Sequence, residues 1–153
     1  MSKIQLYQRL AQQADALMAE EKNLIANLAN LSALLFMELE DVNWAGFYLY
    51  DNDELVLGPF QGLPACIRIP IGRGVCGTAA STLQSQLVAD VHDFPGHIAC
   101  DAASNSEIVI PIVVNDRLIG VLDIDSPSIA RFDQDDLVGA ELLVSQLVKR
   151  LSA

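Results

Sequence analysis

The chain has no long apolar run. Nothing in its 153 residues approaches the roughly 18 consecutive apolar residues that suggest a membrane span. Its start, Met1-Ser2-Lys3-Ile4-Gln5, lacks the charged-then-apolar pattern of a secretion signal, so a cytoplasmic location is expected. Basic residues are scarce, 9 against 20 acidic, for a formal net charge of −11. A surface that acidic, with no basic stripe to offset it, repels phosphate backbones; it excludes nucleic acid and anionic membranes as main partners and serves solubility. No internal repeat or low-complexity segment is present, and an apolar fraction of 52 % excludes disorder. The length predicts one domain over 1–153 with a core of its own. There are only three cysteines, an odd count that does not suit a structural disulfide framework in a cytosolic protein. Buried inert thiols are the commoner case, but Cys66, Cys76 and Cys100 fall within 35 residues, which favours a functional reading. His92 and His97 are the only histidines. Together with Cys100 they match no strong zinc spacing, so no metal is expected.

The hydrophobic pattern then divides the chain. Ile4, Tyr7, Leu10, Ala11, Ala14 and Leu17 follow helical spacing over 3–18, and Leu24, Ile25, Leu28, Leu31, Leu34, Leu35 and Leu39 do so over 21–39. Two apolar stripes with a short connection predict a helical pair within residues 1–40, or a contact between two copies of the chain. From Asn43 the period changes to two. Trp44–Tyr50 and Glu54–Phe60 read as a hairpin turned at Asp51-Asn52-Asp53, with Gly58-Pro59 predicting an irregular edge. A short strand at Ile67–Pro70, a short helix from about Val75 to Leu83, and a short strand at Gln86–Ala89 follow. Residues 90–106 form a polar loop of the length that binding loops and lids have. Glu107–Val114 and Leu118–Asp125 read as strands joined by Asn115-Asp116-Arg117, and Asp133 is the expected N-cap of a closing helix over 132–152. The expected fold class is α+β, with a mainly antiparallel sheet of about six strands over 43–130 flanked by helices.

The chemistry concentrates between Cys66 and Asp125. Val121, Asp123 and Asp125 share one strand face, opposite Leu122 and Ile124. Two carboxylates on one sheet face are costly if that face packs against the core. Either the face is solvated, the commoner case, or it lines a polar pocket, which the apolar flank over 118–124 favours. Glu107 opens the neighbouring strand, beside the loop that carries Cys100. Trp44 and Tyr48 share a face of the first strand and could wall a pocket for an apolar or cationic group. Gly72-Arg73-Gly74 leads into a helix start, a place that accepts an anion such as a carboxylate. Carboxylates for an ammonium, a helix start for a carboxylate and rings for a methyl or thioether together fit a free amino acid with an apolar or sulfur side chain. A thiolate beside it could attack sulfur and pass through a sulfenic acid.

Five stretches carry a resemblance that covers nearly the whole chain: Asn43-Trp44-Ala45-Gly46-Phe47-Tyr48, Leu57-Gly58-Pro59-Phe60-Gln61-Gly62, Ala65-Cys66-Ile67-Arg68-Ile69, Gly74-Val75-Cys76-Gly77-Thr78-Ala79 and Gly120-Val121-Leu122-Asp123-Ile124-Asp125. With the spacing of the three cysteines, they resemble the free methionine-(R)-sulfoxide reductase family, which is built on the GAF domain. The resemblance implies a GAF-type fold. It makes Cys100 the nucleophile that attacks the sulfoxide sulfur, releases methionine and becomes a sulfenic acid. Cys66 would resolve that acid as a disulfide, Cys76 would have an auxiliary or alternative resolving role, and thioredoxin would be the external reductant, with no bound cofactor. Glu107, Asp123 and Asp125 would hold the polar groups of free methionine sulfoxide, one of them supplying a proton, while Trp44 and Tyr48 hold the methyl end. The rival reading is a GAF module that senses a nucleotide or amino acid without chemistry.

Overall fold

In the computed structural model, which describes residues 1–96 and 103–152, the two periodicities separate as the sequence predicts. Helices α1 (Lys3–Met18) and α2 (Leu24–Glu38) come first, followed by strands β1 (Trp44–Asp51), β2 (Glu54–Gly62) and β3 (Arg68–Pro70). Then come helix α3 (Gly74–Thr82), strand β4 (Gln86–Val88), a 3₁₀ turn at Val91–Asp93, strands β5 (Ser106–Val114) and β6 (Arg117–Ser126), and helix α4 (Gln134–Leu151). The six strands form one sheet in the order β3-β2-β1-β6-β5-β4, and every pairing is antiparallel. Among the described residues no helix is long and apolar enough to cross a membrane.

Turn chemistry fixes the register. Asn52-Asp53 and Asn115-Asp116 each span a two-residue hairpin with positive φ at both positions, the conformation that asparagine and aspartate tolerate and that suits the twist of the strands. Opposite Gly46–Tyr48 the register of β2 shifts by one residue, at Gly58-Pro59, where the sequence predicts irregularity. Side-chain caps define the starts of α1, α2 and α4. Ser2 and Gln5 form a capping box on α1, Asn23 accepts from Ala26 N at 2.9 Å on α2, and Asp133 and Asp136 form a capping box on α4.

The sheet has two different faces. Ala45, Phe47, Ile108, Ile110, Ile112, Leu122 and Ile124 pack beneath α1, α2 and α4 in the main core. Trp44, Tyr48, Leu55, Val109 and Val121 point the other way, under α3 and the connections around it. The first two helices touch, but the expected pair is not their main packing: α1 lies chiefly along α4, while α2 covers β1 and β2. The close approach of α1 to α4 depends on Gly139, where an added Cβ would lie 2.1 Å from Cγ of Tyr7. Tyr7 donates a 2.8 Å hydrogen bond to Asp136, whose buried carboxylate also receives Lys3 at 2.8 Å. Three residues of the expected stripes lie outside: Ile4, Leu17 and Ile25 are exposed, and Met18 takes the buried position at the end of α1.

Candidate functional site

Strand alternation delivers the expected carboxylates to the face away from the main core. Glu107 on β5 lies opposite Asp125 on β6, and Asp123 lies opposite Val109, so the three acids come together across two adjacent strands. All three are buried, Asp123 to 5 % exposure and Glu107 and Asp125 to 8 %. The first turn of α3 brings Cys76 against them, its Sγ 3.8 Å from Glu107 Oε2. Donor atoms of Cys76, Glu107 and Asp123 all lie within 4.8 Å of one another.

Three acids in a low-dielectric setting cannot all ionise cheaply. Burial, and then the charges of Asp125 and Glu107, push the Asp123 carboxyl well above the usual carboxylate range. Burial, and then Asp123, Glu107 and Asp125, push the Cys76 thiol up as well. Its place near a helix start does not offset this, so Cys76 is held as a neutral thiol. Asp123 Oδ1 is buried without a hydrogen-bond partner among the described residues, which is costly and marks a place for a donor or cation to land.

The aromatic residues do more than line the site. Trp44 and Tyr48, each 2 % exposed, stack with ring centroids 5.9 Å apart, and Phe60 stacks on Trp44 at 5.1 Å. Their polar ends reach the segment that carries Cys66. Trp44 Nε1 donates to the Leu63 carbonyl at 3.1 Å, and the Tyr48 hydroxyl donates to the Cys66 carbonyl at 3.0 Å. Gly62, at φ +137°, admits the Trp44 ring, which a Cβ there would meet at 2.6 Å. Cys66 is half-buried and disulfide-bonded, whereas Cys76 is a free thiol.

The long loop is stapled at its base, where Val91 N donates to the Asn105 carbonyl at 2.9 Å and Asn105 N to the Ser126 carbonyl at 2.8 Å. Gly96 reaches the start of α3, since a Cβ there would lie 3.9 Å from Gly74 N. Cys100 and His97 lie outside the described residues. His92 is an exposed partner of Asp90, its Nδ1 2.8 Å from Oδ1. The start of α3 has the expected glycine turn, with Arg73 at the N-cap making no side-chain cap hydrogen bond. Sequence reasoning brings Glu107, Asp123, Asp125, Trp44, Tyr48, Cys66 and Cys76 to this side of the sheet, and the structure assembles them there. It misses the Phe60 stack, for which the period-two pattern of β2 is the only signal. It also misses the hydrogen bonds to Leu63 and Cys66, because backbone acceptors leave no mark in a sequence.

A six-stranded antiparallel sheet with its helical core on one face and a polar, loop-edged site on the other defines a GAF-type domain, and the GAF domain family model matches residues 26–150. The chain is 59 % identical over 152 residues to the free methionine-R-sulfoxide reductase of Escherichia coli K12, covering 99 % of this chain and 92 % of that protein. The X-ray structure of free methionine-R-sulfoxide reductase from Neisseria meningitidis in complex with its substrate matches with a TM-score of 0.94 and 46 % identity, over 99 % of this chain and 91 % of that one. The structure of fRMsr of Staphylococcus aureus in complex with substrate matches with a TM-score of 0.91 and 55 % identity, over 95 % of each chain. This chain belongs to the free methionine-R-sulfoxide reductase family of GAF-domain proteins.

Proposed function

We propose that the protein reduces free L-methionine-(R)-sulfoxide to L-methionine, with Cys100 as nucleophile and Cys66 as resolving cysteine. The observation that carries this reading is the buried group of Glu107, Asp123 and Asp125 beside Cys76, with Tyr48 on the same face tied to the Cys66 carbonyl. It offers a proton and a seat for an ammonium in the same enclosed place. In this reading Glu107 and Asp125 hold the substrate's ammonium, the start of α3 accepts its carboxylate, and the face of Trp44 and Tyr48 receives its methyl end. The Cys100 thiolate attacks the sulfoxide sulfur while Asp123, kept protonated, donates to the oxygen. The sulfur–oxygen bond breaks, the oxygen ends on the Cys100 sulfur as a sulfenic acid, and methionine leaves with two electrons gained. The Cys66 thiol then displaces that oxygen as water and closes a disulfide, which a thioredoxin-class dithiol reopens by exchange.

The carboxylates oppose a thiolate at Cys100 through their charge. A protonated Asp123 removes one of those charges, and the substrate's ammonium offsets another on binding, so the thiolate is favoured when substrate is present. The disulfide state of Cys66 beside the free, buried thiol of Cys76 supports giving resolution to Cys66 and leaving Cys76 an auxiliary part. The groove between α1 and α2, flanked by the exposed Leu17 and Met37, is the surface on which a homodimer would form.

The test is single-turnover loss of free L-methionine-(R)-sulfoxide by the reduced protein, run beside Cys100→Ser and with a peptide-bound sulfoxide as control. Consumption of the free substrate by wild type alone, with one disulfide formed per methionine, is the expected result. If neither protein consumes it and both bind a small molecule equally, the chain is a sensor module instead.

A further inference from the structure

We infer that Cys76, Glu107 and Asp123 form a binding site for a borderline-soft divalent cation of the zinc class, and that this cation and the amino acid ligand exclude one another. The metal site stands on its own geometry, while the mutual exclusion rests on the substrate proposed above. The donor set is one thiol and two carboxylates, with ligand atoms mutually within 4.8 Å. Zinc with a sulfur ligand at about 2.3 Å and an oxygen ligand at about 2.0 Å sets a tetrahedral S···O edge of about 3.5 Å. Cys76 Sγ and Glu107 Oε2 stand 3.8 Å apart, so a shift of a few tenths of an ångström closes that edge.

A second observation points into the same space. Asp123 is 95 % buried, and its Oδ1 has no hydrogen-bond partner among the described residues, leaving an acceptor that a cation would satisfy. The ion pairs of the described residues fall on other acids, so no lysine or arginine among them compensates this group. The donors also sit on rigid elements, two on paired strands and one in the first turn of α3, so binding needs little reordering. The sulfur ligand selects the class of ion, since magnesium and calcium prefer all-oxygen sites, whereas zinc and cadmium accept thiolate. Asp125, opposite Glu107 on β6, lies outside this donor group and adds negative charge beside it.

Cadmium is the probe, because its bond to thiolate gives an ultraviolet charge-transfer band. The full-length Cys66→Ser/Cys100→Ser double variant, reduced and kept under argon, leaves Cys76 as the sole thiol. One equivalent of cadmium should saturate the band with micromolar affinity, and zinc should displace it. Adding Asp123→Asn or Glu107→Gln to this background should weaken cadmium binding at least tenfold, with circular dichroism confirming that each variant folds; either one suffices if the other does not fold. Saturating free methionine, which cannot be reduced further, should raise the cadmium concentration needed by at least tenfold. Absence of a one-equivalent band, or affinities unchanged by both carboxyl substitutions, overturns the metal site whatever methionine does. A band that methionine does not shift overturns the mutual exclusion alone and leaves the metal site standing.

Discussion

The hydroxyl of Tyr48 donates to the backbone carbonyl of Cys66 at 3.0 Å, tying the middle of β1 to a segment 18 residues later. Tyr48 is buried, and burial followed by the charge of Asp123 drives its phenol well above the usual range, so it remains a donor at any working pH. Tyr48→Phe keeps the ring and deletes the tether, which should cost about 1 kcal/mol in denaturant unfolding. In the proposed reaction it should slow disulfide closure about tenfold while methionine release keeps its rate. Rapid quenching with a thiol-alkylating reagent and mass analysis reads both steps in one experiment. Equal slowing of the two steps would assign Tyr48 to substrate binding instead.

Glu107 touches the Cys76 sulfur on one side and faces Asp125 across the strand pair on the other. If it orders the charge around the reacting sulfoxide, Glu107→Gln should lower kcat about 100-fold and change KM by less than about fivefold. Steady-state kinetics at saturating reductant decides this. An effect confined to KM leaves Glu107 with the ammonium contact alone and no part in the chemical step.

Asp123 sets a pH dependence of stability. Burial first, then Asp125 and Glu107, raises its folded-state carboxyl above the unfolded value of about 3.9. The folded chain therefore holds a proton that the unfolded chain has released, and this group's contribution to stability falls as pH rises from about 4 toward the folded value. Asp123→Asn removes that titration while keeping the shape. Melting temperatures from pH 4 to 8 should show wild type declining relative to the variant by a few degrees. Parallel curves would show that Asp123 titrates normally in the folded protein.

The α1–α4 contact gives a packing test. A Cβ at Gly139 would lie 2.1 Å from Tyr7 Cγ, so Gly139→Ala should destabilise by about 2–3 kcal/mol. Tyr7→Phe, which leaves the ring and removes only the hydrogen bond to Asp136, should cost about 2 kcal/mol. In the Gly139→Ala/Tyr7→Ala double variant the ring atoms at 2.1 and 2.3 Å are gone and only the residue 7 Cβ, at 2.5 Å, remains in the way, so the double variant should cost less than the sum of the two single variants. Urea unfolding of the three variants and the single Tyr7→Ala checks this.

How much of this was legible before the fold was known depends on whether the cause is local. Alternation along β6 placed Asp123 and Asp125 on one face, and Asp133 with Asp136 announced the start of α4, because both rules act over a few residues. The partner of α1 was not legible, since helical spacing gives a helix its apolar side but not its neighbour. The clue, Gly139, acquires meaning only when Tyr7 is laid across it. Trp44 and Tyr48 could be assigned to the site side, but the acceptors of their polar ends are main-chain carbonyls that any sequence supplies. Cys100, where the nucleophile is expected, and His97 lie outside the described residues.

Each residue step along β6 passes from the greasy side of the sheet to the reactive one: Leu122 and Ile124 sit in the helical core, and Asp123 and Asp125 between and beyond them in the site. A strand that slipped by one position would press both aspartates against α2 and α4 and strand two aliphatic side chains among the acids. The same carboxylates that await a ligand thereby report on whether the chain has been assembled correctly, since no misaligned sheet could accommodate them at tolerable cost. Insertions or deletions in β6 should for that reason abolish folding before they have the chance to abolish chemistry.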